Sequence, residues 1–322
     1  MTAQNVVKKT ARRKAGGFFL PKDLLGIKEL SREQIVRILD LAGRYKGGQG
    51  SQPLKGKSVI NLFFEPSTRT RTSFELAARR LGAAVISMSP QTSSLTKGES
   101  LKDMVENLEA MHPNLLVVRH AASGVPGLIA SYTNAAVINA GDGSHEHPTQ
   151  ALVDLCTVRQ FLGKIAGLKL LIVGDLAYSR VARSNIYGFS KLGAKVIAVG
   201  PATLIPPGLE RLGCTVDTDL DRHLPTADVV MLLRIQRERQ ESLNFPSLAE
   251  YSRFYGLTRG RVERMKASAL IMHPGPINRG VEIDPEIADR RGPPGPRTVI
   301  LDQVANATAV RMAVLAQWGR GK

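Results

Sequence analysis

Short apolar runs and amphipathic stretches take turns along nearly the whole of this sequence. The apolar runs fall at 59–65, 84–89, 115–120, 136–140, 168–175, 195–200, 229–234 and 269–273. Each is rich in Val, Ile and Leu and lacks polar alternation, so each reads as a buried strand. Between them lie helical patterns. Residues 32–45 put Ile35, Ile38, Leu39 and Ala42 on one face, with Ser31 placed to cap. Residues 73–81 do the same with Phe74, Ala77, Ala78 and Leu81. Strand–helix alternation of this kind gives parallel sheets with helices on both faces, an α/β fold. The runs divide four and four about a long helical segment at 148–162. Two domains are expected, 23–149 and 150–302, each a parallel sheet flanked by helices. After a Pro/Gly-rich loop at 291–296, the stretch 306–318 sets Val310, Ala313, Val314 and Gln317 in register. The segment 303–322 is expected to be a C-terminal helix packing back on the first domain.

The length of 322 residues suits two domains of roughly 150 residues each. With 43% hydrophobic and 22% charged residues, the chain is neither disordered nor collagen-like. Its charge is +16. Lys8, Lys9, Arg12, Arg13 and Lys14 supply five of those charges within 1–21, which holds no acid, and 1–22 reads as a basic, solvated tail, with weak nucleic-acid contact or organelle targeting as the alternatives. The remaining 16 − 5 = 11 call for an anionic partner of the folded part. Aromatics are only 5%, and the arginines close strands singly, which argues against a nucleic-acid-binding face. Residues 18–20 are too short for a secretory signal and are broken by Pro21 and Lys22. No apolar stretch approaches the roughly 18 residues of a membrane span. Cys156 and Cys214 match no metal spacing and read as reduced and structural, in a cytoplasmic protein.

In open parallel sheets ligands bind beyond the carboxyl ends of the strands. After run 59–65 stand Ser67, Thr68, Arg69, Thr70 and Arg71, at a helix start. Free backbone N–H groups, hydroxyls and guanidiniums there suit a phosphate; capping alone does not account for two arginines. Arg119 and His120 close run 115–120. After run 136–140 come His145, Glu146, His147 and Gln150. Their spacing fits no zinc pair. A neutral His147 and Gln150 at a helix start can instead serve a carbonyl and an amide. Residues 93–100 form a polar loop carrying Ser93, Ser94 and Lys97, which on these residues alone is equally a plain surface loop. In the second half, Arg180 falls near a helix start, and Arg234, Gln236, Arg237 and Arg239 follow run 229–234. Facing arginines suit a small dicarboxylate. Gly-x-Gly-x-x-Gly and Walker motifs are lacking, so nucleotide sites are poorly supported. Pro274, Gly275 and Pro276 make a rigid turn able to aim backbone carbonyls at a ligand. The pattern points to group transfer by positioning and electrostatics.

These motifs are recognisable together. Ser67-Thr68-Arg69-Thr70-Arg71 and His147-Pro148-Thr149-Gln150 resemble the carbamoyl-phosphate signatures of the transcarbamylase family. The segments 94–99, 234–239 and 273–280 resemble its aspartate branch. The resemblance runs from about Leu25 to Leu315 and leaves out the basic tail. It implies transfer of a carbamoyl group from carbamoyl phosphate to L-aspartate, the committed step of pyrimidine synthesis, without cofactor or metal. It assigns Ser67, Thr68, Arg69 and Thr70 to the phosphate, and Thr70, Arg119 and His147 to the carbamoyl oxygen. Gln150 and the backbone carbonyls of Gly275 and Pro276 would hold the carbamoyl NH2. Arg180, Arg234 and Gln236 would bind aspartate. Ser94 and Lys97 would come from a neighbouring subunit of a homotrimer, Lys97 touching both substrates; the loop alignment leaves Ser93 as the alternative to Ser94. The resemblance extends to bacterial chains that assemble with dihydroorotase or an inactive copy of it. A transcarbamylase for ornithine, a nucleic-acid-binding protein and a catalytically dead scaffold are the rival readings. Ornithine carries a spare cation that Arg180, Arg234 and Arg237 suit poorly.

Overall fold

A computed structural model describes residues 13–15, 18–46, 51–88, 98–236, 247–290, 292 and 294–319. The chain opens with an antiparallel hairpin, β1 (Arg13–Ala15) and β2 (Phe18–Leu20). Leu20 is buried, and Lys22 donates to the carbonyls of Ala130 and Thr133. The end of the stretch expected as a free tail is thus part of the fold: residues 18–20, too short for a signal, suffice for a strand. Helix α1 (Arg32–Lys46) starts in a reciprocal cap. The Gln34 amide donates to Ser31 Oγ, and Gln34 Oε1 accepts from the Ser31 amide.

The first sheet follows: β3 (Ser58–Phe63), α2 (Thr68–Arg80), β4 (Ala84–Met88), α3 (Leu101–Glu109), β5 (Leu115–His120), α4 (Val125–Tyr132) and β6 (Ala136–Asp142). Its order is β4-β3-β5-β6, all parallel. After α5 (Pro148–Leu162) come β7 (Lys169–Val173), α6 (Arg180–Lys191), β8 (Lys195–Val199), β9 (Thr215–Asp217), α7 (Leu220–His223) and β10 (Val229–Leu232). The rest is α8 (Leu248–Tyr255), α9 (Arg259–Val262), β11 (Leu270–Met272), α10 (Pro285–Ala288), β12 (Arg297–Thr298) and α11 (Ile300–Trp318). The second sheet is ordered β12-β11-β10-β7-β8-β9, again all parallel.

All eight expected strands are present, with ends shifted by up to two residues. The short edge strands β9 and β12 were not anticipated, so the second sheet has six strands where four were expected. One reading is corrected. Strand β4 is an edge strand with little burial, and Ile86 is 54% exposed, so its apolar run does not mark a buried strand. Helix α2 begins five residues before the expected 73, and α11 six before 306.

One continuous apolar core runs under both sheets and takes in α1, α5, α6 and α11. The opposite faces carry separate clusters, one with Ile60, Leu62 and Val105, the other with Leu171, Val230 and Ile271. Helix α11 lies against α1 and α2 of the first half and against α5. Helices α5 and α11 are buried nearly all round, which explains why neither shows a strong apolar stripe. Among the described residues, no helix is long and apolar enough to cross a membrane.

Candidate active site

Each sheet reverses its winding once. The first winds from β3 to β4 and then crosses to β5 and β6; the second winds β7-β8-β9 and then crosses to β10, β11 and β12. Crevices open beyond the carboxyl ends at such reversals. The segments after β3 and β6, the end of β5, and the loops after β7, β10 and β11 converge on one cavity of about 460 Å³. Thr68, Arg69, Thr70, Arg119, His147, Gln150, Arg180, Arg234, Gln236, Gly275 and Pro276 all line it, together with Ser67. Every described residue to which the resemblance gave a role therefore reaches the same space, whereas Arg71, expected beside the phosphate, does not line it and instead lies 3.8 Å from Glu75 on the helix surface. Ser94, Lys97 and their alternative Ser93 lie outside the described residues, as do Arg237 and Arg239.

Ser67 is the N-cap of α2, yet its side chain makes no capping hydrogen bond. Its hydroxyl and the free amides of the first turn point to an anion site instead of a routine cap. Ser73, one turn on, donates to the carbonyls of Arg69 and Thr70 and accepts from the Arg311 guanidinium, which ties this turn to α11. Gly275 has φ +68°, and a Cβ there would lie 2.8 Å from the Arg69 guanidinium. The turn and the phosphate-type loop thus touch across the cleft. Burial, then the charge of Arg234, lowers the Arg69 pKa from its ordinary value. Two cations repel across a space that a dianion would fill.

Glu65 was read only as the end of a strand. Its Oε2 accepts from Arg180 Nη2 at 2.7 Å and lies 3.2 Å from Arg119 Nε, so one carboxylate bridges two of the cleft arginines. Arg180 is buried, and its guanidinium packs on Gly141, where φ is +114° and a Cβ would come within 2.9 Å. An acid closing an apolar run beside a basic motif was the available signal. Asp175 was also missed. It accepts from the Tyr178 and Gln236 amides, and Gln236 Nε2 donates to the Tyr178 carbonyl, which pins the loop after β10 to the loop after β7.

His147, the N-cap of α5, is buried, and its backbone amide donates to Ser184 Oγ. Burial, followed by the charges of Arg119, Arg180 and Arg311, drives its pKa well below the ordinary value, so the ring is neutral. Nδ1 has no partner among the described residues. A neutral ring keeps one N–H donor for a substrate oxygen. Gln150 donates through Nε2 to Asp154 Oδ1 at 2.9 Å. His273 Nδ1 accepts from the Gly275 amide, fixing the entry to the turn. Among the described residues no cluster of three or more His, Cys, Asp or Glu could hold a metal.

Two family models match the chain. Residues 22–160 match the carbamoyl-P binding domain of aspartate/ornithine carbamoyltransferase, and 166–318 match its Asp/Orn binding domain. The aspartate carbamoyltransferase catalytic subunit of Syntrophobacter fumaroxidans is 53% identical over 308 residues, 94% of this chain and 99% of that protein. That of Sorangium cellulosum is 54% identical over 299 residues, 91% of this chain and 92% of that protein. In structure, the aspartate transcarbamoylase of Trypanosoma cruzi bound to N-(phosphonacetyl)-L-aspartic acid superposes with a TM-score of 0.82 at 29% identity, over 92% of this chain and 95% of that one. The ornithine carbamoyltransferase of Pyrococcus furiosus scores 0.81 at 28% identity, over 92% and 96%. Backbone likeness therefore does not separate aspartate from ornithine; the sequence likeness to catalytic subunits favours aspartate.

Proposed function

The chain belongs to the aspartate/ornithine carbamoyltransferase family, and on that premise we infer that it carries a carbamoyl group from carbamoyl phosphate to the amino group of L-aspartate. The products are N-carbamoyl-L-aspartate and phosphate, the committed step of pyrimidine (UMP) synthesis. The observation that carries this reading is one cavity lined on one side by the Ser67–Thr70 helix start and on the other by Arg234 and Gln236. Such a site suits a phosphate and a dicarboxylate side by side. Ornithine would bring a second cation toward Arg180 and Arg234, a poor fit.

In this reading Ser67, Thr68, Arg69 and Thr70 grip the phosphate. The aspartate amine attacks the carbamoyl carbon, and Thr70, Arg119 and neutral His147 donate to the oxygen as it gains charge. The C–O bond to phosphate then breaks, and the departing phosphate takes the amine proton. Gln150 Oε1 and the carbonyls of Gly275 and Pro276 accept from the carbamoyl NH2. Arg180, Arg234 and Gln236 hold the aspartate carboxylates. Residues 23–149 with the C-terminal segment 303–322 form the carbamoyl-phosphate half, and 150–302 the aspartate half. Ser94 and Lys97 reach the site of a neighbouring copy in a homotrimer. The exposed edge strand β4, which ends at Met88 shortly before them in sequence, supports that arrangement. The enzyme is cytoplasmic, and a dihydroorotase-like subunit is its candidate further partner. Purified chain mixed with both substrates should form carbamoyl aspartate. Turnover of ornithine in place of aspartate would sink the assignment.

A further inference from the structure

Asp154 stands on α5 one turn beyond Gln150 and is completely buried. Three side-chain amides converge on it. Gln150 Nε2 and Gln303 Nε2 donate to Oδ1 at 2.9 and 2.7 Å, and Asn185 Nδ2 donates to Oδ2 at 2.8 Å. An ionised carboxylate is acceptor-only, so each amide must turn its NH2 toward Asp154 and its oxygen elsewhere. Gln150 lines the cavity, and its Oε1 is the end left for a ligand. Gln303 Oε1 accepts from the His273 amide at 3.0 Å, one residue before the 274–276 turn. One buried carboxylate thus sets the sense of the Gln150 amide and anchors the turn that carries Gly275 and Pro276.

We propose that Asp154 is a positioning residue for acyl-donor specificity: it keeps Gln150 Oε1 and the 274–276 turn presented as hydrogen-bond acceptors, so that the site selects a carbamoyl NH2 over a methyl group. The proposal rests on the reading that Gln150, Gly275 and Pro276 face the carbamoyl NH2. Its chemistry is one of unmet partners. A donor with a methyl in place of NH2 leaves those acceptors desolvated and unpaired, and sites built this way reject such analogues strongly. Burial pushes the Asp154 carboxyl up to about 6; the amides of Asn185, Gln303 and Gln150 and the Arg311 charge oppose that rise. The group is therefore a carboxylate, and acceptor-only, at neutral pH. A leucine in its place is close in shape and carries no acceptor at all. The Gln150 amide is then free to turn over and offer a donor to the ligand's NH2.

Acetyl phosphate is the matching probe, a methyl replacing the NH2 of carbamoyl phosphate. Both should be titrated into the wild-type chain and into Asp154→Leu by calorimetry. The wild type should prefer carbamoyl phosphate by tenfold or more on the order of one lost hydrogen bond. In Asp154→Leu that preference should fall by roughly tenfold, with acetyl phosphate affinity nearly unchanged. A wild type without preference refutes the assignment of the NH2 contacts themselves. A wild-type preference that survives intact in Asp154→Leu, or equal weakening of both ligands, refutes the positioning role alone. Should Asp154→Leu fail to fold, Gln303→Met decides. It removes the acceptor of the His273 amide together with one of the three donors to Asp154, and an unaltered carbamoyl preference there overturns the proposal.

Discussion

Arg69 and Arg234 come from different sheets yet feel each other's charge across the cavity. If Arg234 holds an aspartate carboxylate, Arg234→Ala should weaken aspartate use by about 2–5 kcal/mol, the usual cost of stripping one partner from a desolvated charge pair. Carbamoyl phosphate binding, titrated alone, should change far less. Arg234→Lys should recover only part of the loss, because a point charge does not replace a planar fork. Equal loss of both ligands would mean that the variant is misfolded. At His147 the sign of the pH effect is fixed by a depressed pKa. The native ring refuses the proton that the unfolded ring takes near pH 6.5, so stability from this residue is present above that pH and declines as pH falls. Proton NMR should show no His147 titration between neutrality and pH 6.5, and a ring that protonates in that range would contradict the neutral donor role. At this scale the motif residues were legible because their types are chemically conspicuous. Glu65, Asp154 and Asp175 were not, because single acids at strand ends or inside a helix take much of their meaning from partners more than 30 residues away.

At the scale of elements, α11 is the clearest case of tertiary control. From 306 on it is buried nearly all round, whereas its first six residues, which were not read as helix, bury only Ile300 and Gln303 and leave Leu301 and Val304 exposed. Trp318 closes it, 1% exposed, against the first half. Trp318→Ala should cost about 3–5 kcal/mol by cavity formation. Urea unfolding checks this, and since Trp318 does not line the cavity, kcat below the transition should stay near the wild-type value. Unchanged stability would show that α11 does not hold the two halves together through this contact. Helix α2 was expected to start at 73 because its first five residues have no apolar periodicity. Thr68, Arg69 and Thr70 face the cavity and Arg71 and Thr72 are exposed, so residues that make the site are among those that hide the helix start.

The whole molecule places its cavity where two sheet reversals meet, and the proposed homotrimer would add Ser94 and Lys97 of a neighbouring copy to it. That last point yields the boldest prediction. Homotrimers of Lys97→Ala and of Arg69→Ala should each be nearly inactive. In the proposed three-fold ring contacts are heterologous, so each subunit would lend its Lys97 segment to the next. Any hybrid trimer then rebuilds one site free of both lesions. Dissociating the two mutants and reassembling them together should restore activity, with hybrids verified by native mass spectrometry. A verified hybrid as dead as its parents would place Lys97 in its own subunit's site.

Two parallel sheets, their eight main strands and the motif residues that line the cavity were legible within the sequence itself. Each depends on local composition: buried strands are continuous Val, Ile and Leu runs, and anion sites need hydroxyls and guanidiniums at helix starts. Tertiary structure alone decided the rest. It set the strand order, which turns the chain's winding into two facing crevices, and the exposure of β4, whose apolar run says nothing about which edge it occupies. It also decided how the arginines are held. Glu65 reaches Arg180 across 115 positions, and Asp154 orients amides 31 and 149 positions away. Such pairs leave no periodic trace, because hydrogen bonds between distant segments depend on where the backbone brings them and not on spacing along the chain.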